Sequence, residues 1–282
     1  MSEKSTKQLI NEYQIKAKKN LGQNFINDKN IIKKMVKLSK INQNSIIIEI
    51  GPGLGILTRE LAIAAKRVLA FEIDGELVQI LKAEFAQHDN VEIIEADFLN
   101  IDLSDYLNKK SEKELVVCAN LPYYITTPLL FKLFESELPL KSISVMMQKE
   151  MALRFTAKPG TKDYNALTVI TLYKYETEML MKVPKAVFTP VPKVDSAVVL
   201  FQRKEKKDNI DEQEFFALVK SCFKYRRKTI YNNYRIYAGD LAAQEALAAA
   251  EILPSKRAEE LTLQQYLKLF EVHCEKKSVR ES

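Results

Sequence analysis

Four consecutive residues, Asn120-Leu121-Pro122-Tyr123, carry groups suited to an amine on an aromatic ring. The Asn120 amide oxygen and the Leu121 backbone carbonyl can each accept a hydrogen bond from an exocyclic amine. Pro122 stiffens the backbone, and Tyr123 offers a ring face for a base to stack on, worth ~1–3 kcal/mol. Alone, such a tetrapeptide is more often a polar strand end followed by a proline turn. Upstream, EIGPGLG (49–55) holds Gly51, Gly53 and Gly55, three of only seven glycines in the chain, so glycine serves geometry there. It lets the backbone turn sharply and lets a ligand approach with no Cβ in the way. Two acids follow, Glu72 in FEID and Asp97 in EADF. Either alone reads as a helix cap. Behind the glycine loop, the pair supplies acceptors for ribose hydroxyls and for the exocyclic amine of adenine.

The spacing narrows the ligand. A dinucleotide fingerprint needs G-x-G-x-x-G, whereas here the third glycine comes early and position 56 is Ile. Pro52 removes a backbone donor from any phosphate cradle. No Gly-Lys-Ser/Thr follows, which excludes a Walker loop. An adenosyl ligand without phosphates remains, and S-adenosyl-L-methionine fits. His88 and His273 stand far from these motifs, so histidine-based catalysis is not expected. Cys118, Cys222 and Cys274 lie far apart, which gives neither a disulfide framework nor a metal site.

These residues need a scaffold that brings strand ends together. Short apolar runs at 45–50, 67–73, 91–96, 114–120 and 142–148 alternate with helical patterns at 54–65, 76–85 and 126–135. That alternation predicts an α/β fold with a parallel sheet and crossover helices. Further strands are expected near 176–183 and 195–203, with the proline-punctuated FTPVPKVDS (188–196) before the last. A charged linker, RKEKKDNIDEQE (203–214), then leads into helical patterns at 215–223, 241–251 and 261–273. The expected division is a catalytic domain over 1–204, with a basic N-terminal arm, and a small all-helical domain over 205–282.

The net charge of +6 is unevenly spread. Residues 1–40 carry ten lysines and three acids, 41–140 eight basic and sixteen acidic residues, and 220–235 six basic residues and no acid. An acidic body with basic arms suggests a small-molecule domain flanked by polyanion contacts, with ordinary solvated surface as the alternative. No apolar run reaches a membrane span and no signal core opens the chain, so a cytoplasmic protein without a membrane partner is expected.

In order, LGQNFIND (21–28), EIGPGLG, FEID, EADF, NLPYYITTP (120–128), MMQKEMALR (146–154), VFTPVPKVDSAVV (187–199), RRKTIYNN (226–233) and RAEELTLQQY (257–266) resemble the bacterial small-subunit rRNA adenine dimethyltransferases. The resemblance spans about Lys18 to Phe270. It implies a Rossmann-like class I S-adenosylmethionine-dependent methyltransferase sheet whose last strand is antiparallel. It also implies dimethylation of N6 on two adjacent adenosines near the 3′ end of 16S rRNA, in an immature small ribosomal subunit, by a monomer without metal. Loss of such an enzyme goes with kasugamycin resistance. By the resemblance, Asn24, the Ile26 backbone, Gly51, Gly53, Glu72, Asp97 and Asn120 contact the cofactor. Asn120 also meets the target amine, and Phe188 is a second ring against the target base. RNA phosphates are expected at the N-terminal lysines and at Lys224, Arg226, Arg227 and Lys228, unless that stretch is merely a basic helix. Tyr124 stands where many relatives have Asn. A 23S rRNA methyltransferase of the macrolide-resistance type and a non-catalytic assembly factor are the competing readings.

Overall fold

Strands form where β-branched and aromatic residues run together, and most helices start behind a side chain that takes up their free N–H groups. The computed structural model describes residues 5–107, 114–136, 138–205 and 210–281. Helix α1 (Thr6–Glu12) is capped by Ser5. The two-residue strand β1 (Phe25–Ile26) and α2 (Lys29–Leu38), capped by Asp28, follow. Then come β2 (Ile46–Ile50), α3 (Ile56–Ala64), β3 (Arg67–Glu72), α4 (Gly75–Glu84), β4 (Val91–Glu95), β5 (Leu115–Asn120), α5 (Thr126–Glu135) and β6 (Leu140–Gln148). Beyond β6 lie α6 (Lys149–Phe155), α7 (Ala166–Lys174), β7 (Tyr175–Val183), β8 (Phe188–Thr189) and β9 (Ser196–Arg203). The chain finishes with α8 (Glu212–Cys222), α9 (Ile230–Ala238), α10 (Asp240–Ala249) and α11 (Leu263–Glu281). None of the described helices is long and apolar enough to cross a membrane.

The main sheet has the order β4-β3-β2-β5-β6-β9-β7. From β4 to β6 neighbouring strands are parallel, and β9 joins β6 antiparallel. β2 is buried along its whole length, as expected of a strand covered on both faces. The order reverses between β2 and β5, and such a switch point opens a crevice beyond the strand carboxyl ends.

Two compact units emerge, which divide at Arg203/Lys204, close to the expected boundary, but share out the preceding residues differently. The first takes Met1–Ala152 and Glu178–Arg203; the second takes Leu153–Thr177 and Lys204–Ser282. Residues 153–177, expected within a domain over 1–204, pack instead with the C-terminal helices. The reason is aromatic: Tyr173 on α7 lies 5.2 Å from Phe215 on α8. The basic N-terminal arm is likewise no loose appendage, because Leu9, Ile32 and Met35 are fully buried in the first unit's core.

Candidate active site

The carboxyl ends of β2, β3, β4 and β5 open into one cavity of about 280 Å³. Its wall includes Asn24, Ile26, Gly51, Gly53, Glu72, Asp97, Asn120, Leu121, Pro122 and Tyr123, so the structure brings these expected site residues together.

The loop after β2 depends on its glycines. Gly51, Gly53 and Gly55 have φ of 66°, 60° and 75°, a region that residues with a Cβ rarely adopt. Their N–H groups are already used: Gly51 donates to the Phe71 carbonyl, Gly53 to Glu72 Oε2 and Gly55 to the Pro52 carbonyl. Pro52 has no N–H. These loop donors therefore make no phosphate cradle.

The polar wall is acidic. Glu49, Glu72 and Asp97 line it, and among the described residues the wall holds no lysine or arginine. Glu72 Oε1 accepts from the backbone of Ile73 and Asp74, both at 3.0 Å, while Oε2 takes Gly53 at 3.2 Å. Burial raises the Glu72 carboxyl above its ordinary value, and these bonds work against the shift. Asp97 accepts from the Leu99 backbone at 3.0 Å and from the Asn100 amide at 2.7 Å. Both acids are thus also local turn anchors. Glu49 was not singled out from the sequence. It is buried, its Oε2 has no hydrogen-bond partner among the described residues, and burial pushes its carboxyl up to about 8. Its one sequence signal was adjacency to the glycine loop at a strand end.

Asn120 ends β5 opposite Met146 of β6, and the Leu121 N–H donates to the Met146 carbonyl at 3.0 Å. No described residue engages the Asn120 amide. The Tyr123 hydroxyl lies 2.6 Å from that of Ser196, a buried residue also missed in the sequence. Phe188 is the one expected catalytic residue that the structure does not bring to this wall. It is 1% exposed, sits in the apolar core and is not part of the cavity wall. Its backbone pairs with Ile26 in the β1–β8 ribbon. Tyr124, by contrast, lines the cavity and is 56% exposed, with its ring over Gly22.

Lys224, Arg226, Arg227 and Lys228 are exposed in the turn between α8 and α9, not on a helix. Buried Asn233 clamps that turn: its Oδ1 accepts from the Tyr225 N–H at 2.9 Å, and its amide donates to the Tyr225 carbonyl at 3.1 Å. Arg226 donates to the Lys162 carbonyl at 2.8 Å.

The chain matches the family model described as ribosomal RNA adenine dimethylase over residues 14–274. It belongs to that family. Among similar relatives, the ribosomal RNA small subunit methyltransferase A of Staphylococcus haemolyticus is 44% identical, covering 98% of this chain and 95% of its own. That of Lysinibacillus sphaericus is 42% identical, covering 94% and 93%. Of solved structures, a dimethyladenosine transferase from Plasmodium falciparum superposes with a TM-score of 0.76 at 26% identity, covering 90% of this chain and 98% of its own. The 23S rRNA methyltransferase ErmE gives 0.72 at 27%, covering 89% and 100%. Ribosomal RNA adenine dimethylases are S-adenosylmethionine-dependent, and this cavity fits that donor. It offers acidic side chains and, among the described residues, no cation to a positively charged, phosphate-free ligand, and the buried Glu49 carboxyl has an Oε2 without a described partner.

Proposed function

We propose that this chain dimethylates N6 of two adjacent adenosines near the 3′ end of 16S rRNA, using S-adenosyl-L-methionine and releasing S-adenosyl-L-homocysteine. The carrying observation is near-full-length similarity, above 40% identity, to proteins named ribosomal RNA small subunit methyltransferase A. ErmE, named for 23S rRNA, is similar at 27%. The partner is rRNA in an immature small subunit, met by a monomer.

Bound S-adenosylmethionine supplies a methyl group on a positively charged sulfur. Glu72 is the ribose acceptor and Asp97 the adenine acceptor, with Gly51 and Gly53 forming the floor and Asn24 and the Ile26 backbone the cover. The target N6 lone pair is delocalised into its ring, so the amine is a poor nucleophile. Asn120 Oδ1 and the Leu121 carbonyl accept its N–H bonds and favour a pyramidal, attacking nitrogen. Tyr123 holds the unstacked base by its face. Positioning and preorganised dipoles then carry the rate. Lys224, Arg226, Arg227 and Lys228 contact RNA phosphates, and a folded RNA is recognised largely by shape.

The test supplies purified protein and labelled donor with unmethylated small subunits, naked 16S rRNA and naked 23S rRNA. Label on two adjacent 16S adenosines supports the proposal. Label confined to 23S rRNA would transfer the assignment to the macrolide-resistance type, and no label with any substrate would favour a non-catalytic assembly role.

A further inference from the structure

One side of the cavity is a strap, residues 18–26, whose Leu21, Gly22, Gln23, Asn24, Phe25 and Ile26 form wall. Its two ends are held differently. At the far end the backbone does the holding: Ile26 pairs with Phe188, and its carbonyl accepts from the Thr6 hydroxyl at 2.6 Å. At the near end side chains converge on one carboxylate. Lys18 Nζ donates to Asp74 Oδ1 at 2.6 Å and Gln23 Nε2 to Asp74 Oδ2 at 2.8 Å. The Lys18 N–H donates to Gln23 Oε1 at 2.8 Å, which closes a ring of three residues. Glu76 stands 3.3 Å from Lys18 Nζ.

Asp74 is 5% exposed and caps α4 by accepting from the Glu76 N–H at 3.2 Å. Burial works to raise its carboxyl, yet the bonds from Lys18 and Gln23 outweigh it and hold the group below its ordinary range. Asp74 is also tied to the ribose acceptor, since its N–H donates to Glu72 Oε1 at 3.0 Å. The Lys18 side chain is 40% exposed, so water can compete for this end of the strap.

We propose that Lys18, Gln23 and Asp74 form a latch that closes residues 18–26 over the methyl-donor cavity. They are positioning residues: they act through Asn24 and the strap backbone, not on the reacting atoms. The inference rests on the cofactor reading above. Two dimethylations consume four donor molecules, so spent donor must leave repeatedly, and the latch sets how long each stays.

The test measures S-adenosylhomocysteine affinity and dissociation rate on the full chain, with melting temperature alongside. A part-exposed ion pair contributes modestly, so Lys18→Met should weaken binding about two- to fivefold. Gln23→Leu strips a hydrogen bond from a buried charge and should cost about tenfold or more. Both losses should lie mainly in faster dissociation, with donor KM rising more than kcat falls. Lys18→Arg should restore affinity. High salt should weaken the wild type toward Lys18→Met while changing that variant little. Wild-type affinity and dissociation in both folded variants would overturn the latch. So would affinity losses that merely track melting temperature and are not rescued by arginine. A wild type that fails to bind S-adenosylhomocysteine would overturn the cofactor reading itself.

Discussion

The Tyr123 hydroxyl sits 2.6 Å from the Ser196 hydroxyl, so the first residue of the antiparallel strand β9 fixes the ring that follows β5. If the ring acts by stacking, Tyr123→Ala should lower kcat/KM on rRNA about 10- to 100-fold. Tyr123→Phe and Ser196→Ala should each cost only a few-fold, because they loosen the ring without removing it. Combined, these two should cost no more than either alone, since both delete the same hydrogen bond. A Tyr123→Phe variant as poor as Tyr123→Ala would show that the hydroxyl itself matters.

Asn120 ends β5 at the cavity with its amide unengaged by described residues. Removing one preorganised dipole from a reacting centre typically costs about 10²–10³ in turnover. Asn120→Ala should show a kcat loss of that order. Calorimetric titration should find S-adenosylhomocysteine binding weakened far less. Wild-type turnover would remove Asn120 from the reaction.

Glu49 gives the free protein a distinct pH response. Its folded carboxyl lies at about 8, raised by burial from 4.5. Between those values the unfolded chain releases a proton that the folded chain keeps, so stability falls as pH rises. The contribution is complete below the unfolded value and is lost on rising through about pH 8. Melting temperatures of Glu49→Gln should vary less across this window than those of the wild type. A cationic ligand favours ionised Glu49, so donor binding should release protons, seen as buffer-dependent heat. Identical pH profiles for wild type and variant would exclude this role.

Arg226 and Arg227 are exposed in a turn held by buried Asn233. Reversing both charges should weaken small-subunit binding and flatten its salt dependence, by about 0.7–0.9 in log–log slope for each phosphate no longer neutralised. S-adenosylhomocysteine affinity should stay unchanged. Asn233→Ala should reproduce part of the RNA defect with all the cations present.

Gly55 has φ of +75°, and a Cβ there would come 2.6 Å from Phe85 Cε2. Gly55→Ala should therefore destabilise the protein by about 1–3 kcal/mol through backbone strain, with the ring clash added. Urea denaturation measures it, and pairing with Phe85→Leu should recover the clash but not the strain.

Much of this was legible because strand ends write themselves in local patterns. The β2, β3, β4 and β5 runs and α5 fell where apolar runs and helical spacing put them, and their ends carry the glycine loop, Glu72, Asp97 and Asn120. What escaped was decided by partners distant in sequence. Nothing beside Phe188 reveals that its backbone pairs with Ile26 or that its ring is buried. Ser196 meets Tyr123 across 73 residues, and Lys18 meets Asp74 across 56. Residues 153–177 were placed on the wrong side of the division near 204 for the same reason, because Tyr173 belongs with Phe215. Glu49 was hidden differently: a carboxylate inside an apolar strand looks like an interruption until the strand's neighbours bury it.

Gly51, Glu72, Asp97 and Asn120 all reach the cavity from one edge of the sheet, each at or just beyond a strand end. Connections at the opposite edge, such as residues 85–90 between α4 and β4, are not part of the cavity wall. The two edges are therefore unequal places to alter chain length. Extra residues after exposed Gln87 lengthen a surface turn and leave the distance from Glu72 to Asp97 to the sheet pairing of β3 with β4. A single residue added between Glu72 and Asp74 would move an acceptor, a helix cap and the strap's anchor at once.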